Sequence, residues 1–292
     1  MKRFFRDAWK SMRAYGSAPR LDDYAGLSPL RKPLGDGRPR VSIVTCVYNA
    51  AETLPKAMDS VRKQSWPHIE YVVVDGGSTD ATPKVIEDNA DIVSVLLSEP
   101  DDGLYDAFNR GVAISTGDYV AVLNGDDAIA PDHIEKSVLA LENSGADFSF
   151  GDVEMIHDRP EGEHIEYRPA DKEYAVTLPT GTTDLHHATM VVHRRVFETI
   201  GLFRTGLKIA ADYDWFIRMH KAGFKGVYSG VTSRMSHGGV STERQELSIF
   251  EAAYVAIKNG GPKAGIAKFW GPIFWRRMRW RAGRFIRARR RR

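Results

Sequence analysis

The stretch "YVAVLNGDDAIAP", residues 119–131, ends an apolar run in two adjacent carboxylates, Asp126 and Asp127. Two neighbouring negative charges repel, and desolvating them costs several kcal/mol, on the order known for buried ions, unless something positive compensates. One reading is a solvated turn in which Asp126 or Asp127 caps the following helix. The other is a cation site built from oxygen ligands. A second polar stretch, "DGGSTDAT" (75–82), sets Asp75 at the end of another apolar run, followed by Gly76 and Gly77. Glycines let backbone turn or approach a ligand closely, and an Asp there can accept hydrogen bonds from a nucleobase N–H or a ribose hydroxyl. Taken alone, it reads equally as an ordinary strand-to-helix turn.

The elements that must position these residues alternate. "VSIVTCV" (41–47) is a continuous apolar run of the kind found in a parallel strand covered on both faces. Helical patterning follows over about 51–65. Strands are expected at 69–75, 91–97, 119–124 and 146–156, with helices near 82–89, 104–115 and 131–143 between them. The second half is less regular, with a strand at 188–193 and helices near 194–199 and 211–222. This repeat predicts an α/β fold: a doubly wound, mainly parallel sheet with helices on both faces. Ligands of such sheets bind beyond the carboxyl ends of the strands. The polar loops 48–53, 75–82, 98–111 and 124–127 all fall there.

Composition removes several classes of function. The chain of 292 residues has one cysteine, Cys46, so neither a disulfide framework nor a cysteine zinc cluster is expected. There is no G-x-G-x-x-G and no G-x-x-x-x-G-K-[ST], hence no dinucleotide fingerprint and no Walker loop. No apolar run approaches the ~18 residues of a membrane span, and charges interleave through "MKRFFRDAWKSMRAY", so no secretory signal is expected.

The ordered set "VSIVTCVYNAAETLPKAMDSVRKQSWPHIEYVVVDGGSTDAT", "SEPDDGLYDAFNRGVAISTGDYVAVLNGDD", "HHATMVVHRRVFETIGLF" and "IAADYDWFIRMHKAGF" resembles family 2 glycosyltransferases of the GT-A fold, in the branch that assembles bacterial surface polysaccharides. The resemblance covers roughly residues 41–240. It implies transfer of a sugar from a nucleotide diphosphate sugar to an acceptor hydroxyl, with inversion at the anomeric carbon. It implies that Thr45, Tyr48 and Asp75 surround the base and ribose. It also implies that Asp126 and Asp127 form the metal-binding acidic motif, with Asp127 the direct ligand, and that Asp212 is the catalytic base.

The chemistry agrees. A departing diphosphate gathers negative charge that a hard divalent cation, Mg2+ or Mn2+, neutralises, and a carboxylate can take the acceptor's proton. Asp214 is the alternative base. Asp101, Asp106 and Asn109 are candidate donor contacts, although Asp106 equally suits a helix start. His237 is either a further metal ligand or a loop residue. His186 and His187 either face the acceptor or simply enter a strand. Two positions depart from the family pattern: Gly76 stands where many members carry a second acid, and Asn124 where many carry Asp.

Charge is distributed unevenly. Residues 268–292 carry Lys268, ten arginines and no acid, a formal +11 against a chain total of +3, which leaves −8 on the first 267 residues. At the other end, Phe4, Phe5, Ala8, Trp9, Met12 and Tyr15 form one helical stripe opposite Lys2, Arg3, Arg6, Lys10 and Arg13. That helix either lies in a membrane interface or packs on its own domain. The expected organisation is a helix and linker over 1–40, a catalytic domain over 41–240 (donor half 41–150, acceptor half 151–240) and a helical, basic-aromatic tail over 241–292. The expected partners are a nucleotide diphosphate sugar, a glycan acceptor such as a polyprenyl-diphosphate-linked one, and an anionic membrane surface, with no nucleic acid. The expected location is the cytoplasmic side, peripheral on the inner face of the plasma membrane. The rival readings are a metal-dependent nucleotidyltransferase and a non-catalytic, membrane-bound nucleotide-binding scaffold.

Overall fold

Seven consecutive buried residues, Val41–Val47, make β1 the centre of a parallel unit, because only a strand covered on both faces is buried at every position. The computed structural model describes residues 2–27, 37–159, 162–180, 183–238, 244–264, 266–267, 271–273 and 275–276. Strand β2 (Ile69–Asp75) and β4 (Tyr119–Asn124) flank β1 in parallel, and β3 (Val95–Ser98) lies beyond β2. The crossovers are helices α2 (Leu54–Arg62), α3 (Thr82–Asp88) and α4 (Leu104–Ile114).

Past β4 come β5 (Ala128–Ile129), α5 (His133–Ser144), the hairpin β6 (Phe148–Arg159) and β7 (Gly162–Arg168), and α6 (Tyr174–Thr177). Then follow β8 (Val191–His193), α7 (Arg194–Ile200), α8 (Ala211–Lys221), β9 (Gly226–Ser236) and α9 (Gln245–Lys258). The sheet order is β3-β2-β1-β4-β8-β6-β9-β5, with β7 on β6. Its first four strands are parallel, and β8 joins the second half antiparallel to β4 and β6.

Alternation along the strands fills both faces. Val44, Cys46, Val72, Val74, Val120 and Val122 meet Phe108, Phe197 and Trp215 on one side. Ile43, Tyr71, Val73 and Leu123 meet Leu54, Met58, Ile134 and Leu141 on the other. Each such aliphatic side chain contributes roughly 1.5–3 kcal/mol by leaving water. The register pairs Val47 with Asp75 and Cys46 with Asn124, so the loops after β1, β2 and β4 open at one edge.

Several boundaries differ from the sequence reading. The third strand starts at Val95, because Asp91 is drawn to Arg62 in a preceding turn. Residues 187–189 form a 3-10 turn ahead of a short β8, where a longer strand was expected. The start of the supposed linker is a packed 3-10 helix, Leu21–Leu27, whose Tyr24 hydroxyl donates to Asp106 at 3.0 Å.

The N-terminal helix α1 (Lys2–Ala14) divides its expected apolar stripe. Phe4 and Ala8 are buried with Leu247 and Phe250, while Phe5 and Trp9 are 58% and 55% exposed beside exposed Arg6, Lys10 and Arg13. The basic tail lies largely outside the described residues, as does the rest of the linker, residues 28–36. Among the described residues no helix is long and apolar enough to cross a membrane.

Candidate active site

The turn after β4 is pinned from three directions. A Cβ at Gly125 would sit 2.6 Å from Val47 Cγ1, so only glycine lets the turn close over the end of β1. The short β5 pairs with β9, and Ser236 at the end of β9 donates its N–H to Asp127 Oδ1 at 3.1 Å and its hydroxyl to the Asp126 carbonyl at 2.7 Å. Asn124 Nδ2 donates to Asp127 Oδ2 at 2.8 Å. Asp127 is thereby buried at 2% exposure. Burial, then the charge of Asp126, lifts its pKa to about 7. Burial also raises that of Asp126. Asn124 Oδ1 is buried without a hydrogen-bond partner.

The 3-10 turn before β8 aims His187 at the same place. Its Nε2 lies 3.3 Å from Asn124 Nδ2, and its Nδ1 lies 3.2 Å from Asp212 Oδ2. Asp212 sits in the first turn of α8, where the helix dipole favours an anion. Its Oδ1 accepts from the Tyr213 N–H at 2.8 Å, and the Tyr105 hydroxyl oxygen lies 3.3 Å away. Burial works against ionisation of Asp212, but the hydrogen bond and charge of His187 outweigh it and hold the carboxyl below its ordinary pKa. For His187 the balance is the mirror image: burial acts to lower its pKa, and Asp212, Asp127 and Asp126 raise it above the usual value. Asp127, Asn124, His187 and Asp212 therefore form one connected run across the sheet edge.

The match to the model of glycosyl transferase family 2 spans residues 42–201, more than half of the chain. The chain belongs to this family. A glycosyltransferase of Mycobacterium bovis named for PGL/p-HBAD biosynthesis is 30% identical over 185 residues, covering 62% of this chain and 69% of its own. Glycosyltransferase AglE of Haloferax volcanii is 29% identical over 194 residues, covering 64% and 63%. Among solved structures, S. aureus TarS (residues 1–349) in complex with UDP superposes with a TM-score of 0.59 at 17% identity, covering 79% of this chain and 70% of that one. The mannosyltransferase PcManGT of Pyrobaculum calidifontis, in complex with GDP-Man and Mn2+, gives 0.56 at 18% identity, covering 93% and 76%. The expected architecture, a GT-A-like sheet flanked by helices, is the one found.

Other candidate residues of this glycosyltransferase fall into two groups. Tyr48 is 64% exposed at the mouth of β1, free to stack on a planar ligand. Asp101 fills the space over Gly76: a Cβ there would collide with the Asp101 carboxylate, which also accepts the Gly103 N–H at 2.7 Å. An acid from the next crossover thus occupies the place of the one missing after Asp75.

The second group is engaged within the fold. Thr45 is wholly buried on β1. Asp75, 1% exposed, accepts from the Ser78 N–H at 3.0 Å and the Ser98 hydroxyl at 2.8 Å. Asn109 exchanges both amide atoms with the Phe203 backbone, and Asp106 binds Arg110 and Tyr24. Asp214, the alternative base, is 0% exposed between Arg204 and Arg218, and it also accepts from Tyr15. His186 lies mostly buried, its pKa lowered to about 4 by burial. His237 lies against His157 with ring centroids 4.3 Å apart and planes tilted by 33°.

Among the described residues no three His, Cys, Asp or Glu side chains are grouped to hold a metal by themselves. A hard cation that takes one or two carboxylates, phosphate oxygens and water needs no such cage. The buried carboxylate of Asp127, its pKa raised, and the unpartnered Asn124 Oδ1 are oxygen donors that fit such a cation. Asn124, Tyr105 and His187 are the members of the site that sequence reasoning left unassigned. The adjacent pair His186-His187 was the only signal for the last of these.

Proposed function

We propose that the protein is an inverting, divalent-cation-dependent glycosyltransferase using a nucleotide diphosphate sugar. Asp127, with Asp126 beside it, would hold the cation, whose chemistry is to neutralise the charge of the leaving diphosphate. Asp212 accepts the proton of the acceptor hydroxyl as the new C–O bond forms at the anomeric carbon and the bond to the diphosphate breaks on the opposite face. His187 fixes one Asp212 oxygen and the Tyr213 N–H the other, so the carboxylate stays ionised and oriented at neutral pH. The observation that carries this reading is the connected run from Asp127 through Asn124 and His187 to Asp212, because it joins a cation-seeking acid to a second, ionised acid at one sheet edge.

The exposed Phe5 and Trp9, framed by Arg6, Lys10 and Arg13, speak for docking on an anionic membrane face, with a lipid-linked glycan as acceptor in surface-polysaccharide synthesis. Flotation with anionic vesicles that survives Trp9→Ala combined with Arg13→Ala at low salt would remove that part.

The reaction is tested by incubating the protein and Mn2+ with a panel that includes UDP-GlcNAc and GDP-mannose, the ligands of structural relatives. Release of a nucleoside diphosphate is the expected result. Pyrophosphate release would favour a nucleotidyltransferase, and no turnover of any sugar nucleotide a scaffold.

A further inference from the structure

Helix α8 begins without a capping side chain: Ala210 precedes it and offers no side-chain hydrogen bond. The backbone N–H groups that lead into such a helix must still be satisfied. The acceptor comes from a distant element. Glu251, on α9 and 0% exposed, takes the N–H of Lys208 at 3.1 Å, of Ile209 at 2.8 Å and of Ala210 at 3.1 Å. Its Oε1 also accepts from the Ser11 hydroxyl of α1. The same backbone is gripped from the other side by Tyr105, whose hydroxyl donates to the Ile209 carbonyl and lies 3.3 Å from Asp212 Oδ1. Residues 208–210 are thus clamped between Glu251 and Tyr105, two residues before Asp212.

We propose that Glu251 is a positioning residue for the Asp212 carboxylate, acting through the backbone of residues 208–210, and that Ser11 makes the N-terminal helix part of that support. The inference rests on the reading of Asp212 as the base. Glu251 lies beyond the residues matched by the family model, 42–201, and touches no part of the acid turn that would hold cation and donor. Its loss should therefore leave donor binding alone and slow the proton-transfer step, since misplacing a reacting group by about 1 Å can cost about 100-fold in rate.

Glu251→Gln keeps size and removes charge, turning an N–H2 toward backbone N–H groups. We expect kcat to fall about 10- to 100-fold, with the affinity for UDP or GDP in Mn2+ changed less than about twofold; Glu251→Asp should recover part of the loss. Added to Asp212→Asn, Glu251→Gln should cost nothing further, because residues acting through one group are non-additive. Unchanged kcat in a folded Glu251→Gln protein, or a loss that multiplies on the Asp212→Asn background, would overturn the proposal. Should Glu251→Gln not fold, Ser11→Ala removes one hydroxyl and carries the same test, with a smaller fall in kcat that vanishes in the Asp212→Asn background; an unchanged kcat overturns it equally. Near-normal turnover in Asp212→Asn alone would instead sink the reading of the base itself.

Discussion

The turn at 124–127 and the start of α8 each carry two acids close together, and they treat charge in opposite ways. In the turn, Asp126 and Asp127 are neighbours under burial, and both have raised pKa values. In α8, Asp214 is enclosed by Arg204 and Arg218, and Asp212 by His187 and Tyr105. Buried charge that is compensated within the fold holds the fold together. Buried charge left uncompensated points to a ligand that arrives from outside. Asp212 stands between these cases, compensated by a residue that itself belongs to the site.

The largest effect that would sharpen this contrast comes from the two acids of α8, only two residues apart. Asp212→Asn should fold normally and lose transfer by about 10²- to 10⁴-fold, the usual worth of a general base, in a single-turnover assay with saturating donor. Asp214→Ala should do the reverse. Removing one partner from a buried ion cluster costs about 3–5 kcal/mol, seen as a lowered midpoint of chemical unfolding, with activity lost only as far as the fold is lost. Interchanged outcomes would reverse the assignment of base and anchor.

A smaller effect probes the turn. Asp127 titrates at about 7 in the fold against an ordinary carboxyl value near 4, so between these pH values the folded protein holds a proton that the unfolded chain has lost. Its contribution to stability is therefore full below about pH 4 and declines as pH rises through 7, by about 1.4 kcal/mol for each pH unit crossed between the two values. Buried His133 and His186 give stability an upward slope below about pH 6.5, and in chelator Asp127 should add a downward one from pH 5 to pH 7. Asp127→Asn should flatten that slope, and Mn2+ should restore stability at pH 8 in the unsubstituted protein only. A slope unaltered by Asp127→Asn would place the charge strain elsewhere.

What could be read from the chain follows from whether a residue's partners are local. The strands, and the acids at their ends, were legible because period and loop position are local properties: Asp126 and Asp127 need only β4 behind them. Asp106 and Asn109 carry the right chemistry for a ligand, yet their partners Tyr24 and Phe203 lie 82 and 94 residues away and turn them inward. His187 was half-legible, since its direction depends on a 3-10 turn that replaces expected strand. Glu251 gave no signal, because its role exists only once α9 has packed beside the entry to α8. Asp101 answers the gap at Gly76 from another crossover, which no single motif could reveal.

The central claim is that the acid pair is a cation site for a nucleotide diphosphate. Titration calorimetry of UDP and of GDP, each in Mn2+ and in EDTA, tests it on the unsubstituted protein and on Asp127→Ala. The account predicts that at least one nucleotide binds in Mn2+, that EDTA abolishes this binding, and that Asp127→Ala abolishes it while the protein remains folded. Nucleotide binding of equal strength in EDTA and in Asp127→Ala would contradict it.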